Sequence, residues 1–302
     1  MFRALSVTNH LGETLRMDIF KPYESGMNIK DIDGIGPGKA TINSIEMYGQ
    51  DGSRFNSARL PQRDITITIE FLESPDIETV RQRTYRYFPL KKEVVLTFET
   101  DNNTLYTVGR VEGNLPKIFQ QKESAVITVN CFDPMFRRVG NGSDGFIDFS
   151  TLEGGFEFPF QNPVDTRSLE FAKLVSKTML TTIYEGTEDV GIVATLTAAY
   201  GPVVTPTLHN LTTGESITID TTKIVGNLGF KAGDSIEVST VVGAKSVTHI
   251  RNGVRTKTLK SVAPGSAWLK MVPGENVLAY SAKSGLTSLS VTIVHDTTFS
   301  GV

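Results

Sequence analysis

The chain has 302 residues, of which 39% are hydrophobic and 21% charged, and its formal net charge is −3. These values are typical of a folded protein, because disordered segments combine low hydrophobicity with high net charge. A mildly acidic chain has no general electrostatic attraction to phosphate backbones or anionic lipids, which excludes nucleic acid and membrane surfaces as default partners. At this length we expect two domains, each with its own core.

The single cysteine, Cys131, excludes an internal disulfide bridge, and no Cys/His spacing predicts a zinc site. Residues 1–10 lack the apolar core of a signal peptide. The most apolar stretch, residues 190–204, is too short and too often interrupted by polar residues to cross a bilayer. We therefore expect synthesis in the cytosol without export, no membrane insertion, and a fold stabilised by packing alone.

Period-two patterning dominates the sequence. Isoleucines at every second position from Ile65 alternate with Thr66, Thr68 and Glu70, which predicts a half-buried strand. Segments of the same kind follow at residues 94–98, 125–129, 235–239 and 289–293. Turn residues separate them at intervals typical of β-sandwiches. The sequence therefore predicts a mainly β protein.

One segment breaks this pattern and predicts the main helix of the chain, from about residue 75 to residue 87. We expect Ser74 to cap it, Pro75 to occupy its first turn, and Asp76 to interact favourably with the helix dipole. Pro89 follows the predicted helix and ends it.

A domain boundary is predicted at residues 139–145, where three glycines and small polar residues follow a predicted strand. The first domain is then residues 1–138 and the second is residues 146–302. The second half is richer in Thr, Ser, Gly and Val and shows no convincing helix. Its Asn252-Gly253 pair is the strongest short-range signal for a tight hairpin.

Motifs that would carry chemistry are incomplete. Residues 34–40 (GIGPGKA) differ in spacing from a phosphate loop, and no Ser or Thr follows Lys39, so we expect a flexible connecting loop. Asp31 and Asp33 lack the third acid and the closing glutamate of a calcium loop. No catalytic residue, cofactor or metal ligand is predicted. Paired carboxylates on separate strands leave no local signature, so an enzyme on a β-sandwich stays open as a hypothesis without a supporting motif.

An ordered series of features runs through the first half. A turn at residues 48–52 (YGQDG) precedes residues 59–63 (RLPQR), the alternating strand and the capped helix, and the series ends at residues 127–136 (ITVNCFDPMF). This succession resembles the N-terminal domain of the distal tail protein family of long-tailed bacteriophages. The resemblance covers residues 1–138.

The second half is similar to the galectin-like sandwich that many members of this family append. The similarity is carried by residues 230–236 (FKAGDSI), 250–254 (IRNGV) and 273–277 (PGENV). The expected fold is mainly β, with an N-terminal β-sandwich or barrel-like domain that contains one α-helix and a C-terminal galectin-like β-sandwich.

The resemblance implies a structural, non-enzymatic component of the virion tail tip or baseplate that is made in the host cytoplasm. It implies a homo-hexameric ring that joins the tail tube protein to the tail-associated lysin, or to a fibre or receptor-binding protein. DNA would pass through the ring without being read, and the galectin-like domains would face outward.

A cyclic ring needs a heterologous interface, in which two different patches of each subunit meet. Strand edges and a protruding hairpin suit this purpose, because unpaired backbone groups can extend a neighbouring sheet. We predict subunit contacts at Tyr48, Asp51 and Gly52 in the turn, and at Arg59 and Arg63 beside the alternating strand. The open alternative is that the arginines pair with local acids on a solvated face.

A second hypothesis is a carbohydrate-binding module that recognises host cell-wall glycans through the C-terminal sandwich. Trp268, the only tryptophan, would then stack on a sugar ring. A lone tryptophan between Ala267 and Leu269 is more often a core anchor, and the core interpretation is favoured.

Overall fold

The structure, a computed structural model, describes residues 1–49, 51–74, 76–140, 145–154, 172–224 and 229–302. Pro75 and residues 141–144 of the predicted linker lie outside the described residues. The chain divides into two compact units: Met1–Val139 with Thr298–Val302, and Gly140–Thr297. Both units are built mainly from β-strands, which confirms the predicted fold class.

The described elements up to residue 139 are β1 (Phe2–Thr8), β2 (Thr14–Asp18), α1 (Pro22–Ser25), β3 (Met27–Asp33), β4 (Thr41–Glu46), β5 (Ser53–Arg59), β6 (Arg63–Phe71), α2 (Ile77–Tyr87), β7 (Glu93–Thr100), β8 (Thr104–Lys117), β9 (Ser124–Cys131) and β10 (Phe136–Arg138). The strands that follow are β11 (Phe146–Asp148), β12 (Ser150–Gly154), β13 (Ala172–Ser176), β14 (Met179–Tyr184), β15 (Val190–Ala198), β16 (Val204–Asn210), β17 (Glu215–Thr218), β18 (Ser235–Ser239), β19 (Ser246–Arg251), β20 (Val254–Lys257), β21 (Lys270–Met271), β22 (Gly274–Ser284), β23 (Leu289–His295) and β24 (Thr298–Phe299). Short 3-10 helices lie at Thr221–Lys223, Leu259–Ser261 and Leu286–Ser288.

The first unit is an antiparallel sheet with the strand order β2-β1-β7-β8-β9-β6-β3. The edge strands β2 and β3 contact each other and are connected through α1, which gives the sheet a barrel-like form. Ile65, Ile67 and Ile69 of β6 are completely buried, as their alternation predicts.

The main helix forms where it was predicted, but Asp76 caps it rather than Ser74. Asp76 has extended backbone, and its carboxylate Oδ1 accepts a hydrogen bond of 2.8 Å from the backbone N–H of Thr79. The Ser74 hydroxyl instead donates to the carbonyl of Tyr23 at 2.9 Å. The prediction of a Ser74 cap is therefore wrong, because the helix begins two residues later than the sequence signal indicated.

The second unit is a β-sandwich, as predicted. One sheet has the order β11-β23-β15-β18-β19-β20, with β21 on β15, and the other has the order β14-β22-β16-β17. Their core includes Leu196, Ile236, Leu278 and Tyr280. β12 and β13 pair separately. The tight hairpin predicted between β19 and β20 is also present, with positive φ angles at its two central residues: 50° at Asn252 and 78° at Gly253.

The chain returns to the first unit after the sandwich. β24 pairs with β10, and Phe299 packs in the core of the first unit. The backbone N–H of Val302 donates to the carbonyl of Ile35 at 3.0 Å. The expected second domain, residues 146–302, therefore differs from the structure in its last five residues, which belong to the first unit. Linker composition marks only the boundary between the halves and gives no signal for this return of the chain.

Candidate functional site

A β-hairpin in the first unit is exposed at every residue of its two strands. β4 and β5 pair with each other alone in the described structure, from Thr41 opposite Arg59 to Glu46 opposite Ser53. We call residues 41–59 the arm. An isolated two-stranded hairpin is marginally stable in water. The arm is therefore an element that a partner surface would stabilise.

The two faces of the arm differ in polarity. The register places Ile42 opposite Ala58 and Ser44 opposite Phe55, so Ile42, Ala58 and Phe55 share one face. Ile42 and Phe55 are 65% and 64% exposed. On the other face the Asn43 amide donates to the Ser57 hydroxyl at 3.0 Å, and Ile45, 54% exposed, is the one apolar residue among the paired positions. This cluster of exposed apolar side chains makes the face a candidate interaction surface.

Four of the five residues predicted as subunit contacts lie in the arm. Tyr48, Asp51 and Gly52 form part of its turn, and Arg59 is the last residue of β5. All four are exposed, and the Tyr48 side chain is fully so. Gly52 has a φ of +92°, which a residue with a side chain rarely adopts. Their role as subunit contacts stays a prediction.

Arg63, the fifth predicted contact, is only 7% exposed. Its guanidinium donates four hydrogen bonds to backbone carbonyls: those of Pro134 (2.8 Å), Gly34 (2.7 Å), Gly36 (2.5 Å) and Ser300 (2.7 Å). Its Cζ also lies 4.5 Å from the centroid of the Phe136 ring.

The burial of Arg63 corrects both sequence interpretations. A side chain with this little exposure offers no donor to a neighbouring subunit, and its partners are carbonyls rather than the expected acids. Arg63 instead joins three segments of the first unit at the base of the arm. Sequence patterning has no signal for such a role, because carbonyl acceptors are present at every residue.

The predicted connecting loop at residues 34–40 is held against β6. Gly34 has a φ of +86°, and a Cβ at this position would lie 2.2 Å from the carbonyl oxygen of Asp64. Only glycine allows this close approach. Together with the two bonds from Arg63, the contact fixes the chain where it enters the arm. We call residues 34–40 and 60–63 the root of the arm.

Trp268 packs against the core of the second unit and is partly buried. The Lys245 ammonium lies 5.5 Å from the centroid of its ring. These contacts agree with the core interpretation. Stacking of a glycan on this residue stays a prediction.

Two motifs of the second half meet at a buried carboxylate. Asp234, 2% exposed, accepts hydrogen bonds from Arg251 Nε (2.7 Å) and from the Lys231 backbone N–H (2.7 Å). His249 Nε2 lies 3.3 Å from the same carboxylate. Burial by itself raises the pKa of Asp234, but the hydrogen bonds from Arg251 and Lys231, together with the nearby His249 ring, outweigh it and lower the pKa to about 2. This cluster joins β19 to the turn before β18.

Replacing Asp234 by asparagine should lower the free energy of unfolding of the second unit by about 3 kcal/mol at neutral pH, because Arg251 would lose a buried charged partner. The folded pKa of about 2 lies below the ordinary value of 3.8. The stabilisation is therefore complete above about pH 4 and is lost as the pH falls toward 2. Urea unfolding followed by Trp268 fluorescence at several pH values tests both effects. As a control, Asp189→Asn removes an exposed partner of Lys270 and should change little.

Other candidate chemistry is limited in the described residues. No group of three or more His, Cys, Asp or Glu side chains there is placed to hold a metal ion, Asp31 and Asp33 included. Cys131 is completely buried, and burial raises the pKa of its thiol. None of the helices in the described part of the chain has the length and apolar character of a membrane span.

Comparisons with known proteins agree with this architecture. Residues 185–298 match the family model described as siphovirus-type tail component, C-terminal domain. The crystal structure of the Dit protein (gp 19.1) of phage SPP1 is similar, with a TM-score of 0.59 and 11% identity over 98% of this chain and 99% of that one. Its description names it a paradigm of the hub adsorption apparatus in phages that infect Gram-positive hosts.

A chain of the phage P2 baseplate in its activated conformation with Ca has a TM-score of 0.39 and 11% identity, over 97% of this chain and 98% of that one. None of the curated protein sequences matches this chain significantly. Residues 185–298 therefore match a structural tail component of siphovirus-type phages, and the chain as a whole shares its fold with the SPP1 protein. The resemblance to the distal tail protein family is confirmed by these two matches.

Proposed function

We propose that this chain forms a homo-hexameric ring at the tail tip, which joins the tail tube protein to the tail-associated lysin or to a fibre or receptor-binding protein. The observation that carries the proposal is the arm. Its strands are exposed throughout, and Ile42, Phe55 and Ala58 form an apolar face without a partner in the described structure. Covering that face on a neighbouring subunit would remove apolar surface from water.

The contact would be heterologous, with the arm of one subunit on a different surface of the next, as a closed ring requires. The role is assembly rather than catalysis. DNA would pass through the ring without sequence recognition, in keeping with the net charge of −3. The protein would be made in the host cytoplasm and reside in the virion.

Light scattering after gel filtration, followed by negative-stain imaging of the main peak, tests the proposal. We expect a mass of six chains of 33.0 kDa each and a ring with a central hole. A chain that stays monomeric over the accessible concentration range contradicts a self-assembling ring. A compact dimer with no hole contradicts the cyclic symmetry.

A further inference from the structure

A cavity of about 360 Å³ opens at the root of the arm. Both ends of the arm and the segment after β9 form its walls. Its lining residues include four apolar and two acidic ones: Pro37, Leu60, Pro61, Pro134, Asp33 and Asp64. The volume lies in the range of small-ligand sites.

The charges at the cavity decide what it accepts. Arg63 lines it, but its guanidinium is engaged by four carbonyls. Lys39 and the two carboxylates of Asp33 and Asp64 supply charges of both signs. A suitable occupant therefore has an apolar body that packs on proline and leucine and a neutral hydroxyl that donates to a carboxylate.

Tyr48 has this chemistry, and it lies at the opposite end of the arm. Its side chain is fully exposed. The arm is paired along β4 over six residues, from Thr41 to Glu46, which corresponds to a length of about 20 Å. Tyr48 therefore cannot reach the cavity at the root of its own arm, although the same cavity on a second copy is open to it.

We propose that Tyr48 of one copy binds in the root cavity of the next copy. The inference rests on the proposed function, because it names the surface that receives the end of the arm. The aromatic ring of Tyr48 packs between the prolines of the cavity, and its phenol hydroxyl donates to Asp33 or Asp64. The end of the arm and its root are different surfaces of one chain, so the contact is heterologous and repeats around a ring. An aromatic anchor in a pocket is typical of interface hot spots.

Two substitutions separate the halves of this contact. Tyr48→Ala removes the anchor. Gly38→Phe fills the cavity, because a Cβ at Gly38 would have only ordinary contacts, 3.8 Å from Arg63 Nη2 and 4.0 Å from Leu60 Cδ2. Each variant alone should associate at least about 30-fold more weakly than the wild type. Tyr23→Ala, an exposed tyrosine outside the arm, is the matched control and should assemble normally.

Mixing the two variants gives the decisive result by analytical ultracentrifugation. The Tyr48→Ala chain keeps an open cavity and the Gly38→Phe chain keeps its tyrosine, so one contact can form and the mixture should stop at a dimer. Tyr48→Ala mixed with the double variant should give monomers. Two results would overturn the inference and leave the proposed ring intact. One is that both single variants assemble as the wild type does, and the other is that their mixture remains monomeric. A wild-type chain that is itself monomeric overturns the ring as well.

Discussion

Replacing both Ile42 and Phe55 by aspartate should convert the assembled ring into monomers while leaving both units folded. The two side chains share the apolar face of the arm and are exposed in the single chain, so charges there cost little in the monomer. In an interface, each carboxylate would have to be desolvated without a partner. We expect association to weaken more than about 100-fold. Light scattering measures the assembly, and a thermal melt by circular dichroism reports on the fold.

The opposite face of the arm supplies a matched control. Thr41 and Ser57 have the same diagonal spacing as Ile42 and Phe55. Ser57 pairs with Asn43, two residues after Thr41, and Phe55 pairs with Ser44, two residues after Ile42. Replacing both Thr41 and Ser57 by aspartate adds the same charge as the first double variant and should leave assembly nearly unchanged. Equal loss in both double variants would show that charge on the arm matters rather than its apolar face. Normal assembly of the first variant would contradict a role for that face.

Replacing Arg63 by methionine should lower the free energy of unfolding of the first unit by about 4 kcal/mol. Methionine keeps an apolar stem but leaves four carbonyls, from three segments of the chain, without their charged donor. The cost is large because these acceptors surround a residue that is 7% exposed. Hydrogen exchange of the β6 and β9 amides follows the first unit specifically.

Two controls accompany this measurement. Arg110→Met removes an exposed arginine whose partner, Glu93, is 3.7 Å away, and should change stability by less than about 1 kcal/mol. Trp268 packs against the core of the second unit, so its fluorescence should be unaltered by either change. Equal exchange rates in Arg63→Met and the wild type would show that the four bonds contribute no net stability.

Much of the fold followed from local patterns. The alternating isoleucines of β6 predicted a strand, and each of them is buried. The Asn252-Gly253 pair predicted a hairpin because a tight turn of this kind requires positive φ at both residues. Both signals act within a few residues of the chain. The α1 helix gave no signal, since four residues are too few to show a helical period.

The candidate site was predictable only in part. The turn at Tyr48, Asp51 and Gly52 was identified, but the strands beside it are mostly polar and show little alternation, so the extent of the arm was missed. The burial of Arg63 depends on acceptors as distant as Ser300, 237 residues away in sequence. A contact of that range has no local pattern and emerges only when the chain is folded.

The return of the chain at Thr298 makes the second unit an insertion within the first. β10 and β24 are antiparallel neighbours, with Phe136 opposite Phe299 and Arg137 opposite Thr298. A short turn between these two strands would close the first unit as an ordinary hairpin, and the whole sandwich replaces that turn. Sites of this kind accept domains of different size, provided that the two ends of the inserted domain lie close together. The first unit is therefore a scaffold in which the domain inserted between β10 and β24 can change in evolution without any alteration to the core of the first unit.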